Sequence, residues 1–117
     1  MKFLQLRAFT KENRMEMTSK AKAAIEKGGG WILRHQQFSN ISLCLNFECP
    51  VSSVEKLYRS LLDTGLELSD KSVNAFQNEL ELQAKGSVSK GDFIGTLQIT
   101  FIHDEPDMRV VVPAVPG

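Results

Sequence analysis

The stretch ISLCLNFECPVSSVEKLYRSLLDTG, residues 41–65, decides the fold class. Ile41, Leu43, Leu45, Phe47 and Cys49 alternate with Ser42, Cys44, Asn46 and Glu48. That is the two-residue period of a strand with one buried face and one exposed face. Pro50 ends the strand. Val54, Leu57, Tyr58, Leu61 and Leu62 then fall at i, i+3, i+4, i+7 and i+8, a single apolar helix stripe. Ser52 and Glu55 have the spacing of a capping box. Gly65 suits the left-handed position past the helix end, with Leu66 folding back on the last turn. A strand feeding an amphipathic helix implies an α+β domain with its sheet covered on one side.

Upstream, residues 2–9 read as a strand with Leu4, Leu6 and Ala8 toward the helices and Phe3, Gln5, Arg7 and Phe9 on the other face. A helix follows, starting within residues 13–17 and running to Lys27, with Met17, Ala21, Ala24 and Ile25 as a thin apolar face. Gly28, Gly29 and Gly30 stop it. Residues 31–38 are a second strand, whose register depends on the turn into residue 41. A two-residue turn pairs Phe38 with Ile41 and Gln36 with Leu43, placing polar residues on the core face. A three-residue loop pairs His35 with Leu43, Leu33 with Leu45 and Trp31 with Phe47. The second register buries more apolar surface, so Trp31 and Leu33 are expected in the core.

Downstream the pattern weakens. Residues 70–79 read as helix or loop, because Val73 and Phe76 are the only helix-spaced apolar pair there. Leu80, Leu82 and Ala84 alternate with Glu81, Gln83 and Lys85 as a strand would. Residues 93–103 form a strand, with Gly95 as a candidate bulge. The expected fold is a ferredoxin-like split β-α-β sandwich, its antiparallel sheet carrying two helices on one face and an extra C-terminal hairpin strand. At 117 residues the chain reads as one domain, with residues 105–117 as an apolar C-terminal tail.

Composition narrows the function classes. No apolar run approaches the roughly 18–20 residues of a membrane helix, and residues 1–9 lack a signal-peptide pattern. Cys44 and Cys49 lie in one strand with opposite parity, so they cannot pair, and two free thiols fit the cytoplasm. Net charge is zero, with +5 on residues 1–40 and −5 on the rest. Strand one places aromatics on the open face, but strand three lacks the aromatic motif of an RNA-binding sheet, so nucleic acid is not an expected partner.

Three sets of residues are chemical candidates. Cys44 with His35 is a possible thiol–base pair, although the favoured register puts them on opposite faces. His103, Asp104, Glu105 and Asp107 concentrate metal-type ligands at a strand end, where an exposed polar turn is the plainer reading. Gly28–Gly30 follow a helix instead of preceding one, the wrong polarity for a phosphate loop. No cofactor or metal is expected. The reading that remains is a small binding or regulatory module that homodimerises, or binds another protein, through Phe3 and Phe9 on the open sheet face or through Val110, Val111 and Val112 in the tail. Its alternatives are a small enzyme with a site at the sheet–helix or dimer seam, using His35, Cys44 or His103, and a structural subunit of a larger complex. The residues themselves identify no ligand.

Overall fold

The computed structural model describes residues 2–39, 41–86 and 91–102. In chain order they form β1 (Lys2–Thr10), α1 (Arg14–Lys27), β2 (Trp31–Ser39), β3 (Ser42–Pro50), a 3₁₀ turn (Val51–Ser53), α2 (Val54–Leu62), β4 (Glu67–Leu68), α3 (Asp70–Ala84) and β5 (Asp92–Phe101). The fold is α+β, with one five-stranded sheet in the order β2-β3-β5-β1-β4. The sheet is mixed: β5 runs parallel to β1 and antiparallel to β3. There are three helices among the described residues, not two. Without β5 the order would be β2-β3-β1-β4. The last strand therefore enters between β1 and β3 and does not close a hairpin at an edge.

One face of the sheet carries the core. Leu6, Ala8, Leu43, Leu45, Phe47, Cys49, Phe93, Leu97, Ile99 and Phe101 meet the stripe Met17, Ala21, Ala24, Ile25 of α1 and Val54, Leu57, Leu61 of α2. The α1 stripe buries as its spacing implied, with Asn13 capping the helix through Oδ1 to the amides of Met15 and Glu16. At its other end the Gly28 N–H closes on the Ala24 carbonyl at 2.9 Å. A Cβ on Gly28 would stand 2.7 Å from the Leu57 Cα, so this glycine serves close helix–helix packing. Ser60 Oγ donates to the same Ala24 carbonyl at 2.8 Å, tying α2 to α1 through a buried hydrogen bond.

Four expectations give way. The capping box does not form. A 3₁₀ turn takes up Ser52, and the α2 cap, Ser53, makes no side-chain cap bond. Gly95 is no bulge, since β5 pairs without interruption on both sides. Residues 80–84 are not a strand. Ser69 accepts the Ser72 amide as the cap of α3, and Val73, Phe76 and Leu80 share one helix face over about two turns. Glu, Gln, Leu and Ala are strong helix formers, which decides the ambiguous alternation. Finally, Trp31 and Leu33 are 42% and 50% exposed. Shifts after Ile32 and Gln37 interrupt the register, so that Ile32 meets Phe47, His35 meets Leu45 and Gln37 meets Leu43. β2 is an edge strand, where bulges are tolerated and break up the template for further pairing.

The opposite margin of the sheet is covered by α3. β4 pairs only with Ala8 and Phe9 of β1. Next to that pair, the Arg7 carbonyl accepts from the Ser69 N–H at 2.9 Å, and the Arg7 N–H donates to Ser72 Oγ at 2.7 Å. The start of the helix thus satisfies the strand edge. Ser72→Ala is expected to cost about 1–2 kcal/mol, because a part-buried amide loses its acceptor. Urea unfolding would read that loss. Faster hydrogen exchange at the Arg7 amide would assign it to this bond.

Candidate functional site: the open sheet face

The strand pairings place side chains on the face away from α1 and α2 in four rows. Trp31, Glu48, Ile94 and Phe3 form the first row, followed by Arg34, Asn46, Thr96, Gln5. Next come Gln36, Cys44, Gln98, Arg7, and last Ser39, Ser42, Thr100, Phe9. No described element lies across this face. Its centre is polar, as β3 and β5 alternation requires. Its first row is mostly apolar: Phe3 is 74% exposed, with Ile94 and Trp31 in the same row and Glu48 between those two. Phe9, in the last row, is half-buried against β4 and α3.

Phe3 and Phe9 therefore stand on the face where alternation put them. Trp31 and Ile94 were missed. Trp31 was assigned to the core by an uninterrupted register, and the shift between Ile32 and Arg34 reverses its side. Ile94 was readable, because an isoleucine on the polar parity of β5 breaks an otherwise regular alternation.

The first row also carries charge. Asp92, diagonal to Glu48 on the adjoining strand, holds the Glu48 carboxyl above its ordinary pKa through a shared hydrogen bond, with burial and the Asp92 charge adding to it. Arg34 and Arg7 lie in the next two rows. The face thus has a first row of three apolar side chains interrupted by Glu48, with Asp92 beside it, and cations across its middle.

The other candidates separate. His35 and Cys44 are on opposite faces: Cys44 sits opposite Gln36, while His35 lies opposite Leu45 on the helix side. His35 lines a groove of about 250 Å³ with Arg14, Thr18 and Gln37. Burial lowers its pKa, and the charge of Lys22 lowers it further. Burial pushes the Cys44 thiol up, and pushes Cys49 up to about 11 with help from Asp92. Both shifts run against thiolate formation, the opposite of what a nucleophilic cysteine needs. His103, Asp104, Glu105, Asp107 and Val110–Val112 lie outside the described residues. Among those described, no three His, Cys, Asp or Glu side chains cluster as metal ligands, and no helix is long and apolar enough to cross a membrane.

Three further grooves run beside the helices. One of about 330 Å³ separates α1 from α2, between Lys20, Lys27, Ser60 and Asp63. Another, of about 680 Å³, runs between α2 and α3 along Tyr58, Leu62 and Leu80. The third, between β1 and α3, contains Arg7, Phe9 and Lys71. No family model matches the chain, and neither the curated proteins nor the solved structures compared with it include a match.

Proposed function

We propose that this chain is a protein-interaction module that pairs with a second copy of itself through the open sheet face. The observation that carries the reading is the first row, where Phe3 and Ile94 are neighbours and Trp31 lies beyond Glu48 in the same row, on a face no described element covers. An exposed phenylalanine alone needs no explanation, but large apolar side chains sharing one row of an uncovered sheet face are usual material for interface anchors. Four strands about 4.8 Å apart and about eight residues long present roughly 500 Å² in projection, and more as accessible surface. That approaches the roughly 800 Å² per partner of a stable interface. Polar residues in the other rows suit a rim that sets register, while Arg7, Arg34, Glu48 and Asp92 offer both signs of charge for a self-complementary contact.

Phe3→Glu combined with Trp31→Glu tests the reading. Both side chains are exposed, so the fold is expected to tolerate the change. The loss of two anchors weakens a dimer by about 2–4 kcal/mol, roughly thirtyfold to a thousandfold in Kd. Sedimentation or native mass spectrometry would show a dimer turning into monomers. An unchanged mass for the double variant, or a monomeric parent chain at high concentration, rejects the face as a self-interface.

A further inference from the structure

Of the residues in the first row of the open face, Glu48 alone ionises. It is half-buried, with Trp31 on one side and Ile94, then Phe3, on the other. The charged groups beside it among the described residues are Asp92, two residues before Ile94 on β5, and Arg34, in the next row on β2. His35 is on the opposite face, across from Leu45. A hydrogen bond shared with Asp92, partial burial and the Asp92 charge all favour the protonated form of Glu48. The apolar row thus contains an acid whose ionisation is already disfavoured in the free chain.

Two-fold pairing through this row constrains what Glu48 meets. A two-fold axis running along the strands lays the first row on itself. An axis across the strands lays it instead on the fourth row, where Phe9 is the only large apolar residue among Ser39, Ser42 and Thr100. Burial of apolar surface favours the first arrangement. The strand order β2-β3-β5-β1 reverses about that axis. Phe3 of each copy then comes to Trp31 of the other, and Glu48 comes to Ile94. Arg34 comes to Gln5 and Arg7 to Gln36, so neither cation is set against the acid. The two Glu48 residues lie one strand spacing, about 4.8 Å, to either side of one another across the seam.

We propose that two copies pair first row on first row about this axis, and that pairing draws a proton onto Glu48 of each, so that acid tightens the dimer. The proposal rests on the reading of the open face as a self-interface and adds its regulation. Covering Glu48 with Ile94 takes water from the carboxyl and brings the second Glu48 close, and both effects disfavour the charged form. A carboxyl that holds its proton to a higher pH in the dimer than in the free chain binds more protons in the dimer. Association therefore strengthens as pH falls through the dimer's value and gains nothing further below the free chain's value. A rise of one pH unit at each of the two carboxyls corresponds to about a hundredfold in Kd.

Sedimentation equilibrium of the full chain at about pH 7 and about pH 5 tests it, alongside Glu48→Gln, which keeps the shape of the neutral acid at every pH. The parent chain should show a Kd at least about tenfold lower in acid. Glu48→Gln should show a Kd close to the parent's acid value at both. A dimer whose Kd ignores pH, or a pH dependence that survives Glu48→Gln, overturns this proposal and leaves the self-interface standing. A Kd that rises on acidification overturns it as well, and sets Arg7 or Arg34 of the second copy against the carboxylate. A parent chain and a Glu48→Gln chain that are both monomeric at both pH values reject the self-interface itself, and this proposal with it.

Discussion

Gly95→Ala is expected to destabilise this protein by about 3 kcal/mol, as an overpacked core position does. The cause is the Phe47 ring, which lies across Gly95 from the neighbouring strand. A Cβ at residue 95 would stand 2.3 Å from the Phe47 Cζ and 2.6 and 2.7 Å from the two adjoining ring carbons. No small adjustment of a side-chain tip relieves that contact, because the whole edge of the ring faces it. Phe47 is fully buried, and its ring meets Phe93 edge-on with centroids 6.1 Å apart. Any displacement passes directly into the core between the sheet and the helices. Urea unfolding should show a lower midpoint with an unchanged slope. Phe47→Leu in the alanine background should recover part of the loss, giving a clear non-additive term for two residues in contact. A neutral Gly95→Ala would mean that the ring is free to move aside, and the packing described for β3 against β5 would be wrong.

Phe76→Ala carries the other large expected effect, a loss of about 3–5 kcal/mol. Phe76 is fully buried and stacks on Tyr58 of α2, with centroids 4.7 Å apart and planes 27° from parallel. It is the main apolar anchor of α3. The helix's other ties include the bonds of Ser69 and Ser72 to Arg7, one from Gln83 Nε2 to the Val51 carbonyl, and the packing of Leu80 against the core. Losing the anchor should loosen α3 selectively, so its amides should exchange faster than those of α1 or β3, in keeping with a locally less stable unit. A loss below about 1 kcal/mol, within the range of ordinary surface substitutions, would show that α3 contributes little to the core.

Both predictions concern contacts that no local pattern announces. The spacing of Met17, Ala21, Ala24 and Ile25, and the alternation of residues 43–49 and 97–101, were legible because each element carries a full apolar set on one face. α3 was not legible for the opposite reason. It buries only Ser72 and Phe76 completely, and Leu82 stays 45% exposed, so its apolar residues were too few to distinguish a helical period from an alternating one. The candidate face was partly readable. Phe3 and Phe9 followed from the parity of β1, whereas Trp31 depended on a register shift between Ile32 and Arg34 in an edge strand. A slip of one residue reverses a strand's faces, and β2 had little burial on either face to resist it.

The amino-acid order therefore determined most of the elements, the buried face of β1, β3, β5, α1 and α2, and the α+β class, because amphipathic periodicity is a local property written residue by residue. The tertiary structure decided where β5 inserts, which way Trp31 faces, and that the start of α3 completes the edge of β1. Those outcomes rest on pairing between residues far apart in the chain, such as Arg7 with Ser72 and Phe47 with Gly95. Such pairings are chosen by the packing of the whole sheet, and no single segment contains the information to select them.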